Sequence, residues 1–345
     1  MNLIPVKSET AAATWQAELG QAVSDPDELL SLLALSRRDL VAAGLVLDPT
    51  AAFPLRVPRP FVAQMRPGDP HDPLLRQVLP LQAELEHSAG LSTDPLAEAE
   101  ATQSPGLIQK YHGRVLLIAA PACAVHCRYC FRRHFPYADH QASQRFPQLA
   151  NIKADPSLRE VILSGGDPLM LKDGPLAALI SRLDEIDHLT RLRIHTRLPV
   201  VIPSRITAAL AQSLAQTRLT KTVVLHLNHP QELSAALREG IAALRSAGVW
   251  VLNQSVLLRG VNDRVETLQA LSEMLFDAGV LPYYLHLPDA VQGTAHFQVS
   301  AVEGLRLWQQ LGDLLPGYLL PKLVRETPGL GAKQVLGATE NVRPD

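Results

Sequence analysis

The chain has 345 residues, of which 47% are apolar and 19% charged, and 32 basic against 34 acidic side chains leave a net charge of −2. These values suit an ordinary globular enzyme and exclude both a strongly basic nucleic-acid footprint and extensive disorder. No stretch approaches the ~18–20 apolar residues of a membrane-spanning helix. Met1–Gln21 lacks a basic region followed by an apolar one, so the expectation is a cytoplasmic protein with no membrane and no nucleic-acid partner.

Residues 1–105 read as mostly helical with Pro-rich connections. Trp15, Leu19 and Val23 have helical spacing, and Ser24-Asp25-Pro26-Asp27 caps a run through Leu29, Leu30, Leu32 and Leu33. Leu55-Arg56-Val57-Pro58 and Arg66-Pro67-Gly68-Asp69-Pro70 read as loops or turns. From residue 114 short β-branched or Leu-rich runs alternate with helical patterns. The runs are Arg114–Ala120, Glu160–Ser164, Leu192–Thr196, Thr222–Leu227, Val249–Gln254 and Pro282–Leu287. That rhythm is one of βα units feeding a parallel sheet. Six units point to an α/β fold, an incomplete (βα)6 barrel, with eight units still open. The expected division is a helical extension over 1–105, the barrel over 106–300 and a C-terminal segment over 301–345.

All three cysteines, Cys123, Cys127 and Cys130, fall within eight residues. An odd, tightly spaced set cannot be a disulfide framework. Three thiolates on one loop hold three corners of a metal site. A zinc ion would need His126 or His134 as a fourth ligand. A [4Fe–4S] cluster would find no fourth cysteine, which leaves one iron open. That open iron, the Cys-x3-Cys-x2-Cys spacing and the aromatic Tyr129 are the signature of the radical S-adenosylmethionine (SAM) superfamily. Three incidental thiols are the bland alternative.

Active sites of such barrels lie at the C-terminal ends of the strands. Ser164-Gly165-Gly166-Asp167, Thr196-Arg197, Asn228-His229, Gln254-Ser255 and Asp289 all fall there. Each has a plain reading too. Gly165-Gly166-Asp167-Pro168 makes a tight turn, His226 and His286 suit a core strand, Asp289 suits a cap, and Arg114 and Lys333 suit a solvated surface.

Lys110-Tyr111-His112-Gly113-Arg114, Cys123–Tyr137, Leu163–Pro168, Leu227-Asn228-His229-Pro230, Asn253–Asp263, Pro282-Tyr283-Tyr284 and Gly293–Phe297 resemble, in order, the motifs of the lysine 2,3-aminomutase family. The resemblance spans about residues 50–335. Cys130–Tyr137 and Asp72–Pro80 are similar to the branch that makes β-lysine for elongation factor P. It implies a radical SAM barrel with a short C-terminal segment that binds pyridoxal 5′-phosphate (PLP). The cofactors would be a [4Fe–4S] cluster on Cys123, Cys127 and Cys130, SAM, and PLP held by Lys333 with Arg114 and Tyr111 beside it. The resemblance assigns Ser164, Gly165, Gly166, Asp167, His226 and Gln254 to SAM, with Asn228 helping to order the site. It assigns Arg132 to the substrate carboxylate, and Asp289 and Glu326 to the distant ammonium. Glu326 stands where the family usually has aspartate. The implied activity is an isomerase that turns (S)-α-lysine into (R)-β-lysine. Its partners would be an electron donor such as flavodoxin or ferredoxin, and elongation factor P with its lysyl ligase. A radical SAM aminomutase acting on another amino acid, and a non-enzymatic iron–sulfur or zinc module, are the alternatives.

Overall fold

The computed structural model describes residues 14–50, 53–86, 89–137 and 146–337, so part of the N-terminal stretch read for a leader lies outside the described residues. Ten strands form one sheet in sequence order: β1 (Thr102–Ser104), β2 (Leu107–Tyr111), β3 (Arg114–Ala120), β4 (Glu160–Gly165), β5 (Arg191–Thr196), β6 (Thr220–Leu225), β7 (Trp250–Val256), β8 (Leu281–His286), β9 (Lys322–Arg325) and β10 (Gln334–Val335). From β3 to β9 every neighbouring pair is parallel. β1 and β2 run antiparallel before β3, and β10 runs antiparallel after β9. Among the described residues β1 and β10 are not paired with each other, so the sheet is a partial barrel.

Six helices cover the outer face between successive parallel strands: Gln148–Ala154, Asp173–Asp184, Ala208–Gln216, Ala235–Ser246, Val265–Asp277 and Ala301–Leu314. Local chemistry starts them. Thr207, Ser234 and Ser300 cap three of them by accepting from the backbone amides of Leu210, Leu237 and Glu303. Along the strands one face is buried under those helices and the other is only half-buried. In β5, Leu192 and Ile194 are buried, while Arg193 and His195 at the alternate positions are half-buried and polar. In β8, Tyr284 and His286 alternate in the same way with Leu285. In these two strands the period of two thus sorts apolar side chains outward to the helices and polar ones into the lumen.

The region before the barrel carries short helices over Trp15–Gly20, Pro26–Leu32, Arg37–Ala42, Arg59–Val62 and Pro73–Arg76. Asp25 is the N-cap of the second, as its sequence suggests. Two details differ from the sequence reading. The helix at Trp15 stops at Gly20, and Val23 instead pairs with Val57, which turns part of the expected loop into a β-bridge. The helical extension also gives way early to strand β1. Its apolar residues Trp15, Leu29, Leu40, Phe61 and Leu74 join the same buried cluster as barrel residues Leu117, Leu163 and Ile194.

The six runs anticipated as parallel strands are β3 to β8. The seventh parallel strand, β9, and the hairpin strand β10 were not anticipated. They are short, and β9 owes its strand form to the edge of β8, with Leu285 opposite Leu323 and His286 opposite Val324.

Candidate active site

The cysteine loop leaves the end of β3 and is fastened from below by the N-terminal region. The Arg128 amide donates to the Gln77 carbonyl at 2.9 Å, and the His126 amide to the Arg56 carbonyl at 3.0 Å. Arg128 is fully buried, and its Nε donates to Glu84 at 2.7 Å while Nη1 donates to the Phe53 carbonyl at 2.7 Å. Arg133 reaches the same Glu84 at 2.8 Å and the Gly293 carbonyl at 2.9 Å. A buried charge is tolerated when it is paired and its remaining donors are used. Two arginines flanking the cysteines on one acid therefore set the loop's shape. Tyr129 packs against Leu258, Val261 and Phe297, with its hydroxyl 3.3 Å from His226 Nε2.

The thiols lie close enough to influence one another electrostatically. Burial pushes the Cys123 and Cys130 thiols up, Cys130 to about 12, and the neighbouring thiols add to the shift. Among the described residues no three His, Cys, Asp or Glu side chains converge on a single metal ion. His126 Nδ1 is instead paired with the Pro54 carbonyl, and His134 Nε2 with that of Gln292. Each histidine keeps its other ring nitrogen, so these contacts by themselves do not decide the zinc reading. A cluster is larger than an ion and takes thiolates from points further apart. Its positive charge would reverse the upward shift by favouring the thiolates. The donor set thus fits a cluster.

At the end of β4, Gly165 and Gly166 let two chain segments touch. The Gly166 amide donates to the Ala120 carbonyl at 2.8 Å and the Asp167 amide to the Ala122 carbonyl at 2.9 Å. A Cβ on Gly166 would lie 2.5 Å from the Ala122 carbonyl oxygen. Glycine is therefore needed to bring this rim against the residues that lead into Cys123. The Asp167 carboxylate accepts from Thr196 Oγ1 at 2.7 Å and from the amides of Leu169, Arg197 and Leu198. Its side chain is thus committed to tying β4 to β5. Asn228 is likewise buried, and its side chain donates to Gln77 Oε1 at 2.9 Å and accepts from the Val256 amide at 2.9 Å.

His226 follows the end of β6 and Gln254 lies on β7, and burial keeps His226 neutral by pushing its pKa well down. Arg197, at the end of β5, lies over the Tyr129 ring and next to Cys127. Its Nη2 donates to Gln77 and Glu232, while Nε and Nη1 have no hydrogen-bond partner.

The lower lumen holds a second set. Arg114 begins β3, a seven-residue strand away from the cysteine rim, and stacks on the Tyr111 ring at 4.7 Å. It therefore does not join the rim residues. Arg193 is paired with Glu160 at 2.7 Å, and Tyr283 donates to Tyr284 at 2.9 Å. Arg114 Nε, His195 Nε2 and His286 Nε2 are buried without a hydrogen-bond partner. Buried polar atoms are ordinarily paired, and three unpaired ones with two arginines suit a polar, anionic ligand.

Lys333 reaches this lumen through the hairpin β9–β10. Gln334 lies opposite Arg325, so Lys333 and Glu326 are the next pair along. Their side chains form an ion pair. Lys110 Nζ lies 3.1 Å from Glu326 and 3.3 Å from Glu98. Glu98 in turn grips Arg132, accepting from Nε at 2.7 Å and Nη2 at 2.8 Å. Arg132 Nη1 donates to Ser164 Oγ at 3.1 Å. Burial would raise the Glu326 pKa, but Lys333 and Lys110 hold it down to about 2. Asp289 lies in the same field, where burial and the Glu326 charge push it up to about 7.

The fold thus unites Lys333, Glu326, Tyr111 and Asp289 at one place and Arg132 with Ser164 and Gly165 at another. Sequence reasoning missed Glu98, Lys110, Arg193 and His195. Lys110 lies within a stretch that carries the family resemblance, which was the available signal. Glu98 offered none, since an acid in Ala97-Glu98-Ala99-Glu100 reads as a solvated face.

Known proteins bear on this site. The model of the radical SAM superfamily matches residues 117–271. The L-lysine 2,3-aminomutase of Escherichia coli (strain K12) is 51% identical over 324 residues, covering 93% of this chain and 94% of the relative. The protein of the same name from Haemophilus influenzae is 48% identical over 317 residues, covering 91% and 93%. That from Clostridium subterminale is 33% identical over 322 residues, covering 92% and 76%.

Proposed function

This chain belongs to the lysine 2,3-aminomutase family of radical SAM isomerases, and on that premise we propose that it moves the 2-amino group of (S)-α-lysine to C3, giving (R)-β-lysine for attachment to elongation factor P. The observation that carries the substrate reading is the placement of two acids, Glu326 and Asp289, beside Lys333, with an arginine, Arg132, on the cysteine side of the lumen. A lysine molecule has one anionic end and one distant cationic end, and this pattern answers both. It disfavours glutamate, whose distant group is an anion. The non-enzymatic alternative is set aside, because the family is one of isomerases.

In this reading Cys123, Cys127 and Cys130 hold a [4Fe–4S] cluster. Ser164, Gly165, Gly166, His226 and Gln254 border SAM, and Asp167 serves by shaping that rim. Lys333 holds PLP, with Arg114 on its phosphate and Tyr111 beside it. When bound, the cluster and SAM supply the radical that removes hydrogen from C3, and PLP supplies the conjugation that accommodates the migrating nitrogen. The protein's own part is placement. Arg132 fixes the carboxylate by a planar two-pronged contact. Asp289 and Glu326 hold the ammonium, and the helix-covered barrel keeps water from the reacting carbons. Among the described residues no helix is long and apolar enough to cross a membrane. We place the protein in the cytoplasm, where flavodoxin or ferredoxin supplies the electron and the lysyl ligase of elongation factor P consumes the product.

The test is a strictly anaerobic product assay. Reconstituted protein receives SAM, PLP, dithionite and isotopically labelled lysine, and mass spectrometry with chiral derivatisation reads the product. Labelled (R)-β-lysine, absent from a Cys127→Ala variant, is the expected result. An intact cluster and bound PLP with no β-lysine would overturn the substrate assignment.

A further inference from the structure

The chain supplies its own carboxylate to the arginine read above as the substrate anchor. Arg132 presents its Nε–Nη2 edge, and both oxygens of Glu98 close it at 2.7 and 2.8 Å. Nη1 is engaged separately by Ser164 Oγ at 3.1 Å and the Gly165 carbonyl at 3.2 Å. Arg132 is 7% exposed and Glu98 3%. A parallel two-pronged contact in a buried place is the geometry a guanidinium offers to the carboxylate of an amino acid. Glu98 has the charge and shape of that group.

The backbone is arranged to deliver it. Ala97 has φ of 49°, a left-handed conformation that residues other than glycine rarely adopt. The Asp94 carboxylate accepts from the Glu98 amide at 3.0 Å and the Ala99 amide at 3.2 Å, which fixes the turn. Upstream, Ser92 is bridged to Val291: its amide donates to the Ala290 carbonyl at 2.8 Å, and the Gln292 amide donates to its carbonyl at 3.0 Å. One strap, residues 92–98, is thus fastened next to Asp289 at one end and inserted into the Arg132 fork at the other. Lys110, between Glu98 and Glu326, stands ready to keep Glu98 paired if it leaves that fork.

We propose that Glu98 is a built-in placeholder for the substrate carboxylate, which fills the Arg132 fork in the empty site and yields it to an incoming amino acid; this rests on the reading of Arg132 as the carboxylate anchor. The arrangement keeps a buried guanidinium paired at every stage, since an unpaired one is costly. It also makes the carboxylate a requirement for entry. An amine without one cannot displace Glu98, so the free amino acid is selected over its decarboxylated or amidated forms.

The experiment is equilibrium binding of L-lysine and of L-lysinamide to the holoenzyme and to its Glu98→Gln variant. The glutamine is neutral and no longer competes as an anion. Lysine should bind the variant on the order of tenfold more tightly, and lysinamide, which has no carboxylate to claim the fork, should bind both proteins weakly and to the same extent. Equal or weaker lysine binding by the variant would overturn the proposal, as would a parallel change with lysinamide, which marks a merely structural role. Should the variant not fold, hydrogen exchange on the wild-type holoenzyme decides. Lysine should speed exchange at the Glu98 and Ala99 amides, and slower or unchanged exchange there refutes displacement. If the wild-type protein binds a different L-amino acid instead of lysine, the substrate reading fails separately. The same two proteins are then compared on that amino acid and its amide, with the same criteria.

Discussion

Around the cysteine loop, Arg128 and Arg133 close on Glu84, and their other donors end on backbone carbonyls. In the lumen the charges form a chain instead, Arg132–Glu98–Lys110–Glu326–Lys333, with Asp289 beside it and unpaired nitrogens of Arg114, His195 and His286 nearby. In the first region the clamp on Glu84 is closed by protein groups and leaves that acid to no ligand. In the second, a ligand of suitable charge can take the place of a protein group. Saturated buried charge belongs to scaffolding, and exchangeable buried charge marks a binding site.

The largest expected effect lies in the exchangeable region. Lys333→Ala should abolish both PLP-dependent absorbance and β-lysine formation while leaving iron and sulfide content unchanged. Full activity in that variant would remove Lys333 from the cofactor site. In the saturated region the effect should fall on stability. Glu84→Gln leaves two buried guanidinium groups without their shared acid and should lower unfolding free energy by about 3–5 kcal/mol, read by denaturant titration, with a parallel loss of retained iron. A loss below ~1 kcal/mol would show that the clamp is not saturated in the sense argued here.

The smallest effect is one of pH. Asp289 has a pKa of about 7 because burial and Glu326 disfavour its charge. A substrate ammonium beside it favours the ionised form, so binding expels a proton at low pH. Lysine affinity should therefore fall as pH drops below about 7, approaching tenfold per pH unit at the limit. Calorimetric titration across that range checks this, and Asp289→Asn should flatten the slope. A slope that persists in the variant places the proton elsewhere.

Much of this was legible in the chain. The run read as a strand at Arg114–Ala120 is β3 residue for residue, and the five that follow lie on β4 to β8 with ends shifted by a few residues. Their β-branched and leucine content, and the helical patterns between them, are local properties. Strand β9 was not legible, because four residues, Lys322–Arg325, become a strand only by pairing with β8. The bridge of Val23 to Val57 was hidden for the same reason. Arg132 was named for a carboxylate, yet nothing near it in sequence indicated that Glu98, 34 positions earlier, fills that fork.

The sequence by itself determined the chemistry available: three clustered thiols, two rim glycines, one lysine after a glycine-containing turn, and a strand–helix rhythm that puts strand ends on one rim. These follow from composition and short-range spacing. The tertiary structure alone decided which charges meet. Lys333 faces Glu326 because a hairpin register sets them opposite each other. Arg128 and Arg133 converge on Glu84, and Glu98 enters the Arg132 fork, because packing brings distant segments together at a depth where charge must be paired. Electrostatic energy depends on distance and dielectric surroundings, and neither is a property of neighbours along the chain.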